Sequence, residues 1–254
     1  MLAIPCFNEE RRLEPRSVSA LVRDRQLDVI LVDDGSTDRT LAVLEALRDK
    51  ADPHVSVLAL PENRGKAEAV RCGLLAAIDR AAVVGYADAD FATPPDELLR
   101  LASLALDSDA DAVIGSRISF LGADIVRHPV RRYLGRVFAA AASVVLQRSV
   151  YDTQCGAKFF RVTDALRSAL ATPYISRWAF DVELLGRLWT ADPGYSIVEA
   201  PLKAWADVRG SKIGPASMVR AGVELARIAL ELRRRSPRRL MASVGRARRG
   251  SWNE

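Results

Sequence analysis

Asp28-Val29-Ile30-Leu31-Val32-Asp33-Asp34-Gly35-Ser36-Thr37-Asp38 joins an unbroken apolar run to a turn rich in Asp, Gly, Ser and Thr. A short continuous run of branched apolar residues reads as a strand buried on both faces, since alternation would mark a half-exposed one. Ser36, Thr37 or Asp38 can then cap a helix over Arg39 to Lys50 by accepting its free N–H groups. The same grammar recurs downstream. His54 to Leu60 reads as a strand, Asn63-Arg64-Gly65-Lys66 as a turn and Ala67 to Arg80 as a helix. Ala81 to Tyr86 is a strand, Pro94-Pro95-Asp96-Glu97 opens a helix, and Asp111 to Gly115 is a further strand. Such alternation predicts an α/β fold, a mostly parallel sheet with helices on both faces.

In sheets of this kind ligands bind beyond the carboxyl ends of the strands. Asp33-Asp34, Arg64-Lys66, Asp88-Asp90 and Ser116-Arg117 all follow predicted strands, so they should converge on one rim. Asp88-Ala89-Asp90 is the most telling of these. Two carboxylates one residue apart raise each other's pKa, and a divalent cation removes that cost. Hard oxygen ligands suit Mg²⁺ or Mn²⁺, which keep open positions for phosphate oxygens. The triplet therefore reads as a metal–diphosphate clamp for a nucleotide-activated substrate, with a solvated Asp-x-Asp loop as the competing reading.

The chain has 254 residues and a net charge of +5, and its composition is that of a globular protein. Arg233, Arg234, Arg235, Arg238, Arg239, Arg246, Arg248 and Arg249 supply the basicity, which suggests an acidic partner or surface. Nucleic acid fits poorly, because the basic run lacks interleaved aromatics. Cys6, Cys72 and Cys155 are far apart, which predicts reduced thiols in a cytosolic setting rather than disulfides or zinc. The opening Met1-Leu2-Ala3-Ile4-Pro5 has no signal-peptide pattern. The longest apolar stretch, Val137 to Leu146, is about half the length of a membrane span.

The second half is less regular. Arg127 to Gln147 reads as an amphipathic helix, Tyr151 to Arg161 as strand and loop, and Trp178 to Trp189 as a helix. Val219, Val223, Ala226 and Leu230 recur at helical spacing through Arg235. The expected organisation is a domain over residues 1–215, a C-terminal amphipathic helix over 216–235 and a basic tail over 236–254.

Several segments together resemble family 2 glycosyltransferases of the GT-A fold (Rossmann-like). They are Ile4-Pro5-Cys6-Phe7-Asn8-Glu9-Glu10, Val32 to Asp38, Asn63-Arg64-Gly65-Lys66 with Ala69 and Gly73, and Ala87 to Asp90. Asp152-Thr153-Gln154-Cys155-Gly156-Ala157-Lys158, Trp178-Ala179-Phe180-Asp181-Val182-Glu183 and Gly210-Ser211-Lys212-Ile213 narrow the likeness to enzymes that put a sugar on a polyprenyl phosphate. Within these it is nearest the dolichyl-phosphate β-glucosyltransferase branch. Phe7 stands where the family usually has tyrosine, and the first strand is shorter than usual, as a missing upstream segment or a late start site would leave it.

The resemblance implies an inverting transfer of a hexose, glucose from UDP-glucose ahead of mannose from GDP-mannose, with Mg²⁺ or Mn²⁺. It implies that Asp90 ligates the metal and that Asp88 contacts the ribose or the metal. Pro5, Phe7, Glu9, Asp34, Lys66 and Ala89 are expected around the nucleotide sugar, with Arg209 and Lys212 on a closing loop. Arg117 and Arg131 are the expected phosphate clamps of the acceptor, and Asp152 joins Asp90 and Arg117 as catalytic. A phosphate monoester, with a second pKa of about 6, needs no general base. His54 and His128, the chain's two histidines, lie in no recognisable motif. A hydroxyl acceptor would instead require Asp181 or Glu183, which cannot share a helix face at a spacing of two. A non-catalytic nucleotide-sugar or membrane-binding protein is the remaining alternative. Basic-plus-apolar helices around Arg131 to Leu146 and Val219 to Arg235, with the arginine tail, predict peripheral attachment to the cytoplasmic face of a membrane.

Overall fold

The computed structural model describes residues 1–23, 27–50, 52–126, 129–206 and 215–235; for residues 52, 129–132 and 215–219 it describes the backbone alone. Four parallel strands come first: β1 (Leu2–Cys6), β2 (Val29–Asp33), β3 (Val55–Ala59) and β4 (Val83–Ala87). Between them run α1 (Pro15–Val22), α2 (Thr40–Lys50) and α3 (Lys66–Ala77). Then come α4 (Pro95–Asp107), β5 (Ala112–Ser116), β6 (Asp124–Val126), α5 (Pro129–Leu146) and β7 (Ala157–Arg161). The chain continues through α6 (Asp164–Leu170), α7 (Phe180–Ala191), β8 (Ile197–Pro201), β9 (Ala204–Ala206) and α8 (Pro215–Arg235).

The main sheet has the order β3-β2-β1-β4-β7-β5-β8. All its pairings are parallel except those of β7, which runs antiparallel between β4 and β5. β6 and β9 form a separate parallel pair. The expected α/β class holds, and β7 is the addition: it returns into the middle of the sheet from a segment that reads only as strand and loop. Strands β1, β2, β4 and β5 are buried at every position, as their unbroken apolar runs require.

Alternate residues of each strand feed two cores. Leu2, Ile4, Leu31, Val83 and Val113 pack with α1, α2 and α4 on one face. Ala3, Ile30, Val32, Val84, Tyr86 and Ile114 pack with α3, α6, α7 and α8 on the other. In α8 the buried stripe is Ala221, Leu225, Ile228 and Leu232. Val223, Ala226 and Leu230, the positions picked out by sequence spacing, are exposed instead. The helix thus has two apolar faces, one in the core and one open. None of the described helices is long and apolar enough to cross a membrane.

The topology opens the site. β2 and β3 lie to one side of β1 and β4 to the other, which is the switch point where a crevice forms. β1 pairs with β4 only at Leu2 and Ala3, so the two strands part beyond Tyr86. Leu2 N–H donates to Asp28 on the β2 side, and alternation turns the Pro5 nitrogen towards the vacated β4 side. A proline there forfeits no ladder bond.

Candidate active site

Three loops at the carboxyl rim are tied together by the Asp33 to Asp38 segment. Asp33 accepts from Ser36 N–H at 3.3 Å, which organises the turn as its place in the sequence suggests. Ser36 Oγ accepts from Asn8 N–H, and Asn8 Oδ1 in turn accepts from Thr37 N–H at 2.9 Å. Asp38 accepts from Thr40 N–H at 2.9 Å and so caps α2. Asp34, expected around the nucleotide sugar, sits against the Asn63–Gly65 turn that leads into Lys66. It is buried, and its carboxylate takes Arg64 N–H and Gly65 N–H, both at 2.8 Å, with Asn63 Nδ2 at 3.0 Å. Burial raises the Asp34 carboxyl above its ordinary value, against the pull of those two N–H groups. Its work is to fix the turn that presents Lys66.

A pocket of about 400 Å³ opens beyond β1 and β4, lined by Pro5, Glu9, Arg12, Lys66, Asp88, Ala89 and Asp90. Lys66 Nζ lies 2.6 Å from Asp88 Oδ1. Its surroundings disfavour charge, but Asp88, Asp181 and Asp90 more than offset that and raise the ammonium's pKa. Burial and the neighbouring Asp88 push the Asp90 carboxyl up. Burial also raises Glu9, helped by Asp90 and opposed by Arg12. A crowded set of carboxylates with raised pKa values is what a cation relieves. Asp88 and Asp90 offer hard oxygen donors suited to Mg²⁺ or Mn²⁺, and the pocket leaves room for phosphate and water to complete the shell. Among the described residues no group of three or more Asp, Glu, His or Cys could hold a metal by itself. The residues present fit a cation bound jointly by protein and substrate.

Gly156 is the contact that sequence motifs do not explain. A Cβ placed there would lie 2.2 Å from Asp88 Oδ2, so the Asp88 carboxylate lies flat on the bare backbone of residue 156. Asp88 N–H also donates to Gly156 O at 3.1 Å. The start of β7 is therefore the floor on which the first aspartate rests.

A second, shallow pocket lies across that floor, lined by Arg117, Gly135, Arg136, Phe138, Ala139, Tyr151, Asp152, Thr153 and Gln154. Arg117 and Asp152 meet as a fork, Nε to Oδ2 and Nη2 to Oδ1, both at 2.7 Å. Arg117 also stacks over Trp205, 5.1 Å from the ring centre. Burial works against its charge, yet the Asp152 hydrogen bonds and charge raise its pKa. Asp152 takes Gln154 N–H as well, at 3.2 Å, so it orients Arg117 and the pocket wall together. Arg136 donates to Tyr151 OH at 2.8 Å, and no carboxylate of the described residues pairs with it. The buried Thr153 hydroxyl has no hydrogen-bond partner among the described residues.

The two carboxylates of α7 have separate duties. Asp181 is buried against Lys158 Nζ at 2.5 Å and receives the Tyr86 hydroxyl. Glu183 is fully buried and holds Arg187, Ile175 N–H and Ser176 N–H. His54 sits at the start of β3, on the rim opposite the pockets, 2.5 Å from Asp28. Phe7 is exposed at the crevice edge and lines neither pocket. Arg131 lies in the first turns of α5, where the backbone alone is described. Arg209, Lys212, His128 and the tail over 236–254 lie outside the described residues. Arg12 and Arg136 line the pockets without belonging to any sequence motif, and Gly156, though part of the Asp152–Lys158 motif, shows its place under Asp88 only in the fold.

The profile of Glycosyl transferase family 2 matches residues 1–167. The chain is 36% identical over 228 residues to a dolichyl-phosphate beta-glucosyltransferase of Drosophila melanogaster, covering 84% of this chain and 68% of the relative. It is 32% identical to the human enzyme of that name, covering 84% and 69%, and 30% identical to one from Trichomonas vaginalis, covering 91% and 70%. Among solved structures, glucosyl-3-phosphoglycerate synthase from Mycobacterium tuberculosis, in complex with Mn²⁺, UDP and glucosyl-3-phosphoglycerate, superposes with a TM-score of 0.63 at 20% identity, covering 93% of this chain and 79% of that one. A mannosyltransferase from Pyrobaculum calidifontis, in complex with GDP-Man and Mn²⁺, gives 0.52 at 17%, covering 99% and 75%. The switch-point crevice, the paired aspartates and these likenesses agree: the chain belongs to glycosyl transferase family 2 and is a glycosyltransferase of the GT-A fold.

Proposed function

We propose that this glycosyltransferase moves glucose from UDP-glucose, with inversion, to a polyprenyl phosphate of the dolichyl type at a membrane surface. The observation that carries the reading is the second pocket: arginine-lined, one floor away from Asp88, with its lining carboxylate, Asp152, tied up in a fork with Arg117. An acceptor phosphate oxygen attacks the anomeric carbon as the bond to the diphosphate breaks, and the nucleoside diphosphate departs with that electron pair. No proton has to be removed, because the phosphate monoester is already an anion. A nucleoside diphosphate glucose is α-linked, so the β product named for the relatives requires a single inversion.

Each residue then has a task. Lys66 offers charge to the leaving diphosphate, and Asp88 and Asp90 would hold Mg²⁺ or Mn²⁺, which when bound neutralises that diphosphate. Arg117, oriented by Asp152, and Arg136 bind the acceptor phosphate through guanidinium N–H groups. The hydroxyl-acceptor reading needs a free base, and both candidates, Asp181 and Glu183, are held in buried ion pairs. Tyr133, Val137 and Val144 on α5, and Val223 and Leu230 on α8, are exposed on two helices that pack together. Those exposed apolar side chains, with the arginine tail, support attachment to lipid.

Incubation with labelled UDP-glucose, Mn²⁺ and polyprenyl phosphate, followed by extraction into organic solvent, tests the proposal. A lipid-soluble glucosyl product supports it. Transfer only from GDP-mannose overturns the donor, and transfer only to a water-soluble hydroxyl acceptor overturns the whole reading.

A further inference from the structure

The loop from Ile175 to Ala179 runs between Phe138 of the second pocket and Gly65, the neighbour of Lys66, and is built by two carboxylates from different helices. Glu183 of α7 takes Ile175 N–H and Ser176 N–H, both at 3.0 Å. Glu224 of α8 takes Trp178 N–H at 3.2 Å, Ala179 N–H at 3.0 Å and the Ser176 hydroxyl. Every backbone N–H of this loop except that of Arg177 is therefore held by an acid. Trp178 is thereby set edge-on against Phe138, a wall of the second pocket, with ring centres 5.1 Å apart.

Arg177 points the other way. Its guanidinium lies over Gly65, with Nε and Nη2 each 3.0 Å from where a Cβ would stand. Gly65 has φ +89° and immediately precedes α3, whose first residue is Lys66 of the donor pocket. Only a glycine adopts that backbone freely, and only a glycine lets the guanidinium come so close. Arg177 is exposed, and no hydrogen bond or ion pair engages it among the described residues. Its charge reaches the Asp34 carboxylate, which it favours in the ionised form, but its guanidinium N–H groups make no hydrogen bond among the described residues; above the positive end of a helix and beside a lysine, they are arranged to receive an anion.

We propose that Arg177 is a further substrate-binding residue, holding a phosphoryl oxygen at the edge of the donor pocket, and that Glu224 of the C-terminal helix positions it. The proposal rests on the substrate reading above, in which both donor and acceptor carry phosphate. It makes α8, whose open face is apolar, part of the active-site architecture rather than an appendage.

Calorimetry with UDP or GDP plus Mn²⁺, and steady-state kinetics with polyprenyl phosphate, test it on the full chain. Arg177→Ala should weaken binding about tenfold, the loss of one charge-assisted hydrogen bond, with an unchanged melting temperature. Arg177→Lys should recover part of that. A loss in nucleotide affinity assigns the contact to the donor diphosphate, and a rise confined to the KM for polyprenyl phosphate assigns it to the acceptor. Glu224→Ala should reproduce the Arg177→Ala change, and the double variant should be no worse than Arg177→Ala alone. Glu224→Gln keeps an acceptor for the loop N–H groups, so it should fold normally and retain most binding. Wild-type affinity and turnover in Arg177→Ala overturn the proposal, and independent, multiplying losses overturn the role of Glu224. Failure of the wild type to glucosylate the lipid would refute the function proposed above, whereas nucleotide binding would still report on Arg177.

Discussion

Replacing Gly156 by alanine should cripple the enzyme without unfolding it. The added methyl would stand 2.2 Å from Asp88 Oδ2 and 2.4 Å from Oδ1, where carbon–oxygen contact needs roughly 3.4 Å. The carboxylate must therefore retreat by about 1 Å or more. That movement breaks the 2.6 Å approach to Lys66 and would withdraw an oxygen from the proposed cation site. A displacement of that size at a reacting centre costs on the order of 100-fold in rate, or about 2.7 kcal/mol of transition-state stabilisation. Gly156 has no positive φ, so the alanine backbone itself is unstrained and the melting temperature should change little. The assay is glucosyl transfer across a Mn²⁺ titration, beside thermal unfolding. The expected result is a kcat/KM about 100-fold lower with a right-shifted Mn²⁺ dependence. Activity within about threefold of wild type at unchanged Mn²⁺ dependence would refute the claim that residue 156 seats Asp88.

Three further outcomes are expected. Chelation by EDTA should abolish transfer while leaving circular dichroism unchanged, with Mn²⁺ or Mg²⁺ restoring it; chelator-resistant turnover would remove the metal from the scheme. Lys158→Ala should destabilise by about 3–5 kcal/mol in urea unfolding, since it strands Asp181 in the core, and a Lys158→Met/Asp181→Leu pair should recover much of that. The Glu97 carboxyl would be raised by its burial, but the Arg100 fork, Lys203 N–H and both charges hold it below its ordinary 4.5. A depressed folded pKa gives stability that is present above the unfolded value and lost as pH falls through the folded one. Glu97→Gln should therefore be less stable at neutral pH and lose less on acidification; an unaltered acid limb in denaturant titrations would contradict this.

The first half of the fold was legible because its strands, β3 apart, are buried on both faces, and β2 and β4 end in turns rich in Asp. The aspartate pair, Lys66, and the meeting of Arg117 with its neighbourhood could be placed because strand ends of a parallel sheet share one rim. β7 was not legible, since Ala157 to Arg161 has the pattern of any short strand, and nothing local says that it runs antiparallel between β4 and β5. The tie of Asp34 to the next turn was not legible, since its three donors come from about thirty residues on. Arg136 and Arg177 were invisible as site residues because tertiary packing alone distinguishes them from solvated arginines. Spacing found the open apolar stripe of α8 but not the buried one, because the helix has apolar residues on two sides.

The placement of β7 also bears on how the chain reaches its native state. Until residue 161 has been made, β4 and β5 cannot be bridged, and each presents an open, mostly apolar edge. Such edges invite pairing with other chains during synthesis or refolding. Fragments ending in α5 should therefore aggregate, whereas extending them through β7 and α6 should restore solubility. The strand that floors Asp88 is thus also the late, long-range closure on which orderly folding of the whole sheet depends.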